Sequence, residues 1–248
     1  MKVLVHQLKT AQLVFWRSRE AAFFIFIFPL LLFLLLGSVY NGRIEGHPAA
    51  DALLAGLLGY GAANTAFAGI AIALVIRRES GLLKRLRATP LPQPVYFAAV
   101  LASTLIVFTL QTVCLFVMGR VLFGTAWPTE IFSLALTVLL GVGAFAGLGF
   151  AAASLIRSAE GSSAVVNLIL LPLAFLSGSF GSTRDYPQVL QWIADFLPLE
   201  HYLNIVDAIY LDKEHFWTQG GQIAAVAAWG LAGYIVAARY FRWEPRER

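Results

Sequence analysis

Residues 77–94, RRESGLLKRLRATPLPQP, separate two apolar runs, Leu53–Ile76 and Val95–Met118, and hold the one internal concentration of charge: Arg77, Arg78, Glu79, Lys84, Arg85 and Arg87. Each flanking run is long enough to cross a bilayer at 1.5 Å per residue, so the charged stretch reads as a loop on one membrane face. Within it Ser80 can cap a short helix beginning at Gly81, and Pro90 cannot continue one, which leaves about two turns. On that helix Leu82, Leu83 and Leu86 fall on one side while Lys84 and Arg87 face away. A small basic amphipathic helix held between two spans is a contact for a soluble partner. It is equally a positive loop that fixes membrane orientation, and the two roles are compatible.

Working outward, the whole composition agrees with a membrane. Of the 248 residues 59% are hydrophobic and 13% charged, where a soluble domain has about half and a quarter. The net charge of +4 arises from basic residues at the ends of apolar runs, which points to anionic headgroups and away from nucleic acid. The single cysteine, Cys114, lies in an apolar run and reads as a core residue, so no disulfide framework is expected.

The expected architecture is an all-α membrane protein, one transmembrane domain over residues 1–248 with six spans. Residues 1–20 place Leu4, Leu8, Ala11 and Phe15 at helical spacing and read as an interfacial amphipathic helix. The spans follow at 21–39 (kinked at Pro29), 53–76, 95–118, 131–156, 164–180 and 221–238. The first is too long for a signal-peptide core and lacks a small-residue cleavage pattern, so it is expected to be retained. Span 4 carries Gly141, Gly143, Gly147 and Gly149, a small-residue pattern suited to close helix packing. The long loop 181–220 holds two amphipathic patterns. Pro187 opens one, with Val189, Trp192, Ile193 and Phe196 on a face. Pro198 opens the other, with Leu199, Tyr202, Leu203, Val206 and Tyr210 opposite Glu200, Asn204 and Asp207.

With the N-terminus inside, segments 1–20, 77–94, 157–163 and 239–248 hold 14 of the 18 Lys and Arg residues, which places both termini and the 81–89 helix in the cytoplasm. No Asp, Glu, Lys, Arg or His falls within a span as drawn. That argues against proton-coupled carriers and intramembrane metallo- or aspartyl proteases, which need ionisable groups at depth. Glu200, His201 and Asp207 could be imagined as metal ligands, but adjacent residues point to different helix faces, so a solvated polar face is expected. No GxxxxGK[ST] occurs, so ATP is not expected to bind through a P-loop. The polar residues at depth, Asn64, Thr65, Gln111, Thr112 and Asn167, are neutral. They read as interhelical hydrogen bonders or as the lining of a weakly polar path for an amphiphile.

Three stretches resemble the ABC-2-type permease family, the membrane subunits of bacterial ATP-binding-cassette exporters. One is Glu79, Gly81, Leu86, Thr89, Pro90 and Leu91 after span 2. A second is Pro172, Leu173, Leu176, Ser177 and Gly178 near the end of span 5. The third is Pro187, Leu190, Gln191, Ile193, Ala194, Leu197, Pro198, Leu199 and Tyr202 in the external loop. The resemblance implies two permease protomers, alike or homologous, in a bacterial inner membrane with two cytoplasmic P-loop ATPase subunits, which would carry ATP and Mg. This chain itself would bind no cofactor or metal and catalyse nothing.

By that resemblance Arg78, Glu79, Gly81, Leu82, Leu83, Lys84, Leu86, Arg87, Thr89 and Pro90 would form the coupling contact with the ATPase. Many members have Thr at the position of Leu82 and Glu at that of Lys84, which implies a contact tuned to a dedicated partner. Trp192, Phe196 and Tyr202 would belong to an external lid over a cavity between protomers, lined mainly by spans 2 and 5. Asn64, Thr65, Phe67, Gln111, Asn167 and Phe175 are the expected substrate path. The expected function is ATP-driven export of a hydrophobic or amphiphilic drug or lipid by alternating access. The alternatives are export of a lipid-linked polysaccharide, or a membrane scaffold that neither binds nor alters an ATPase.

Overall fold

A computed structural model describes residues 2–40, 42–184 and 186–245. The last three residues of the basic tail, 246–248, lie outside the described residues. Helix α1 (Lys2–Arg17) ends at Ser18, whose Oγ accepts from Ala21 N to start the next helix. Helix α2 (Arg19–Val39) follows, then a hairpin of β1 (Arg43–Ile44) and β2 (His47–Pro48), then α3 (Ala49–Glu79). The short helix α4 (Leu82–Arg87) leads to α5 (Gln93–Phe123), α6 (Ile131–Leu155) and α7 (Ser162–Leu176). Two loop helices, α8 (Gln188–Phe196) and α9 (Pro198–Tyr210), precede α10 (Gly220–Tyr240).

Among the described residues five helices are long and apolar enough to cross a membrane: α2, α3, α5, α6 and α10, the last continued back to Phe216 by a 3-10 turn. The expected span 164–180 is instead the 15-residue α7, about 22 Å at the helical rise and shorter than the hydrocarbon core. It stops because Gly178 turns left-handed at φ 77°, and the turn that follows presses the Ser179 backbone onto Gly56 of α3. Between α2 and α3 the strands β1 and β2 form a tight hairpin: Glu45 (φ 52°) and Gly46 (φ 92°) both take positive φ, which suits a two-residue connection.

Helix α3 is the axis of the domain. Every residue from Leu53 to Ala68 is buried, wrapped by α2, α5, α6, α7 and α9. Within one protomer the middle of this helix therefore turns no free face outward. A π-helical turn, Ala63–Ala68, interrupts α3, and a second one, Phe23–Ile27, interrupts α2. Pro29 sits directly after the latter, so its missing N–H falls where the hydrogen-bond ladder has already shifted, and the expected kink becomes a π-turn. Asn64 Nδ2 donates to Phe24 O at 3.0 Å, tying the two π-turns together.

The most extensive helix pair is α6 with α10. A Cβ at Gly147 would strike the carbonyl oxygen of Gly230, and one at Gly233 would meet Gly147 C at 2.5 Å. Lipid gives helices no apolar reason to associate, so backbone contact of this kind carries the pairing. Near the hairpin, Asp51 accepts from Ala126 N (2.9 Å) and Tyr210 Oη (2.7 Å), which joins the start of α3 to the α5–α6 turn and the end of α9. Helix α1 runs along α5, where Gln12 Nε2 donates to Ser103 O and Oγ, both at 3.0 Å.

Gly233→Leu should therefore lower stability by about 3 kcal/mol, the upper end of overpacking costs. The Gly143→Ala change, whose added Cβ has nothing within 4 Å, should leave it nearly unchanged. Thermal unfolding of the detergent-purified variants followed by size-exclusion recovery checks both.

Candidate functional site

The site is built on the far end of α3. That helix runs past the expected limit at Ile76 to Glu79, and Gly81 then adopts φ 71°, its N–H bonded to Arg78 O at 3.0 Å. Left-handed glycine both ends α3 and opens α4. Ser80 is consequently not the N-cap of α4: it closes α3, its Oγ donating to Arg77 O at 3.0 Å, and α4 starts at Leu82 without a side-chain cap. Thr89 Oγ1 donates to Leu86 O at 2.6 Å and finishes the turn before Pro90.

Helix α4 divides its leucines differently from the expected pattern. Leu83 is 0% exposed and Leu86 packs partly against the core, whereas Leu82 is 42% exposed. Positions 83 and 86 share a face at helical spacing and 82 falls beside it. Lys84, Arg85 and Arg87 are exposed with Leu82, and Thr89 and Pro90 continue the exposed surface. The result is a cationic patch around one accessible apolar side chain, anchored from beneath by Leu83.

Arg78 lies on the opposite side of this assembly, 1% exposed. Its Nη1 donates to Ala153 O at 2.8 Å, its Nη2 to Ile156 O at 2.7 Å, and its Nε pairs with Glu79 Oε1 at 2.8 Å. A guanidinium at the carbonyl end of α6 is favoured by the helix dipole and satisfies carbonyls that have no partner of their own. Arg78 therefore has no surface to offer a partner: it binds α3 to α6 and holds the Glu79 carboxylate at the edge of the patch. Nothing local marks this role in the sequence, because Arg78 sits in a run of other charges. Arg77 adds a weaker tie, its Nη1 3.1 Å from Tyr96 Oη on α5.

The residues expected to line a substrate path separate into two groups. Asn64, Thr65, Phe67 and Gln111 are buried inside the bundle, with Thr65 Oγ1 donating to Gln111 Oε1 at 2.9 Å. Asn64, Thr65 and Gln111 act as interhelical hydrogen bonders here, and Phe67 packs in the core. Asn167 and Phe175 are exposed on α7. Of the lid residues, Trp192 and Phe196 are exposed on α8, with Val189 and Ile193 beside them. Tyr202 is instead a core side chain against Phe145 and Gly141, because the apolar face of α9 turns inward between α3, α6 and α10. Nor is the other face of α9 solvated as expected: Glu200 and Asp207 are both partly buried, and only Asn204 is exposed. Among the described residues no group of three or more His, Cys, Asp or Glu is arranged to hold a metal ion.

The chain is similar to known membrane transport proteins. The profile of a family described as ABC-2 type transporter matches residues 4–211. The chain is 28% identical over 171 residues to the inner membrane transport permease YhhJ of Escherichia coli (strain K12), covering 68% of this chain and 46% of that protein. It is 24% identical over 188 residues to the putative transport permease YvfS of Bacillus subtilis (strain 168), 75% and 76% of the two chains. Nodulation protein J of Rhizobium leguminosarum bv. trifolii is 33% identical over 87 residues, 35% of this chain and 33% of that protein. The chain thus spans under half the length of the Escherichia coli relative.

Arg78→Ala should destabilise the purified protein by about 3 kcal/mol, since it strands buried carbonyls and a carboxylate together. Arg77→Ala removes one half-buried bond and should cost about 1 kcal/mol. Melting temperatures of the two variants in the same detergent rank them; equal losses would refute the distinction.

Proposed function

The chain belongs to the ABC-2 type transporter family, and on that premise we propose that it is the membrane-spanning subunit of an ATP-driven exporter, coupled to its motor through α4. The observation that carries this reading is the exposed patch of Leu82, Lys84, Arg85 and Arg87, fixed to the end of the central helix. A positive loop needed only for topology has no use for a left-handed glycine hinge, a buried Leu83 or a guanidinium fastened to a second span.

Two cytoplasmic P-loop ATPases, holding ATP and Mg, would seat against α4 in a complex with a second permease protomer, both termini of this chain lying on the same cytoplasmic side. Glu79, at the edge of the patch, is the acidic member of that contact. Closure of the ATPases pushes on α4, and the push reaches α3 through the 79–81 turn and α6 through Arg78. The equilibrium between inward- and outward-open states shifts only by the difference in contact energy that the ATPases make with each. The exposed apolar faces of α7 (Leu168, Phe175) and α8 (Trp192, Phe196) support a partner protomer or lipid at that side. The substrate class that fits is a hydrophobic or amphiphilic molecule, a drug or a lipid, taken from the cytoplasm or inner leaflet.

The test is recovery of the motor. A tagged chain carrying Lys84→Glu and Arg87→Glu should lose a stoichiometric P-loop ATPase that the unaltered chain brings down in mild detergent. Both residues are exposed, so membrane insertion and elution profile should stay the same. Glu79→Ala should abolish export while leaving insertion intact. Undiminished ATPase recovery with the charge-reversed patch would remove α4 from the coupling role.

A further inference from the structure

At the end of α3 opposite α4, the β-hairpin, the turn after α7 and one face of α9 enclose a cavity of about 330 Å³. Four carboxylates line it, Glu45, Glu200, Asp207 and Asp212, against one guanidinium, Arg184, and one imidazole, His47. The charges do not pair off evenly. Glu45 Oε1 lies 3.3 Å from Arg184 Nε and accepts from Ser182 Oγ at 2.6 Å, and Asp212 Oδ1 lies 3.4 Å from His47 Nε2. Among the described residues Glu200 and Asp207 have no cation beside them. Glu200 Oε2 is buried with no hydrogen-bond partner, and so is the Oγ of Ser177, a residue 3% exposed that lines the same cavity.

A carboxylate buried without a donor or a counter-charge is unfavourable, and it is relieved either by a proton or by a cation that enters the space. Burial first, then the charges of Asp195 and Glu45, push the Glu200 carboxyl up to about 7. Burial first, then Glu45, Asp212 and Glu200, push that of Asp207 up to about 7 as well. Both acids therefore stand between their two states near neutral pH.

The geometry selects the kind of cation. Glu200 and Asp207 are seven residues apart on α9, two turns on one face, with backbones about 10 Å apart. Among the described residues they belong to no group of three or more His, Cys, Asp or Glu arranged to complete a metal ion's ligand set. Between them the wall is mixed: Leu203 of α9 and Leu53 of α3 line it beside Asn204, which shares the face of Glu200 and Asp207. Unpartnered acceptors at two ends, with aliphatic side chains and an amide between them, match a short chain that is positive at both ends.

We infer that this cavity binds a short alkyl diammonium ligand, its two ammonium groups meeting Glu200 and Asp207 and its methylenes lying on Leu203 and Leu53. Ser177 Oγ supplies a neutral acceptor for an ammonium hydrogen. The site stands at the other end of α3 from the ATPase contact, and its assignment does not depend on that contact or on export.

The probe is 1,4-diaminobutane, titrated calorimetrically into the full chain in phosphatidylcholine nanodiscs, which offer no competing primary ammonium. Saturable binding is expected at pH 8, where both carboxyls are ionised, weakening at least tenfold at pH 5.5, where protons occupy them. Asp207→Asn and Glu200→Gln should each weaken binding at least tenfold, and ethylamine should bind at least tenfold more weakly than the diamine. Glu214→Gln, outside the cavity, should bind as the unaltered chain does. Each cavity variant removes a buried charge, so its melting temperature at pH 8 should equal or exceed that of the unaltered chain. Discs containing phosphatidylethanolamine should leave the diamine affinity unchanged, because that headgroup carries a single ammonium; a tenfold loss there would assign the site to a lipid headgroup and overturn the diammonium inference. No saturable binding at pH 8, or binding unaffected by both variants, overturns the inference. So does a result in which the variants abolish the pH dependence of stability while the diamine never binds, for then the acids serve the proton alone.

Discussion

Helices in a bilayer gain no hydrophobic energy by meeting one another, so this chain is held together where its backbones touch. The contact of α6 with α10 depends on Gly147, Gly230 and Gly233, and that of α6 with α3 on Gly149, where a Cβ would lie 2.8 Å from the carbonyl oxygens of Ala66 and Phe67. Gly56 admits the backbone of Ser179 in the same manner. Larger side chains at these points would hold the helices apart and open the interior. The small residues of α3 allow five other helices to reach it, which is why it became an axis and not a wall.

An axis must also be held lengthwise, and α3 is fastened at both ends by ionised side chains that are not solvated. At one end Asp51 accepts from Ala126 N and Tyr210 Oη; at the other Arg78 donates to Ala153 O and Ile156 O. In each case a charge meets the loose end of another helix or turn, where backbone groups need a partner. Helices α3, α4 and the end of α6 therefore form one mechanical unit, and α10 follows α6. Helix α7 packs Val166, Leu170 and Ala174 inward and turns Leu168 and Phe175 outward, beside the outward Trp192 and Phe196 of α8.

Hydropathy made most of this legible. The runs beginning at 21, 53, 95, 131 and 221 read as spans because twenty apolar residues have few other uses. Pro187 and Pro198 announced α8 and α9 because proline is suited to a helix start. What stayed hidden depended on contacts between distant segments. Arg78 looked like one more charge in a basic loop, and nothing local distinguishes a guanidinium bound to α6 from one in water. Ser80 looked like a cap because serine often is one, but the left-handed glycine after it took the boundary. The resemblance places Tyr202 in a lid, whereas α9 is a loop helix only in sequence and a core helix in space. Periodicity marks Glu200 and Asp207 as the polar side of a helix and is silent about what lies opposite.

The same contacts determine where α3 can change most cheaply. Its ends are held by charge-assisted bonds to buried groups, and breaking such a pair costs about 3–5 kcal/mol because it leaves a charge uncompensated. Its middle is held by neutral side-chain bonds, Asn64 to Phe24 O and Thr65 to Gln111, worth roughly 0.6 kcal/mol each inside a membrane. Gln111 keeps an unpartnered Nε2 in the interior, so a hydrogen-bond donor is available at little cost to a shifted backbone. Both π-turns lie at this level, where the helical ladder is already out of register. Among the polar bonds of α3, those at residues 63–68, midway between the cationic patch and the acidic cavity, are therefore the weakest, and it is the close backbone approach of Gly149 to Ala66 and Phe67 that holds this level together.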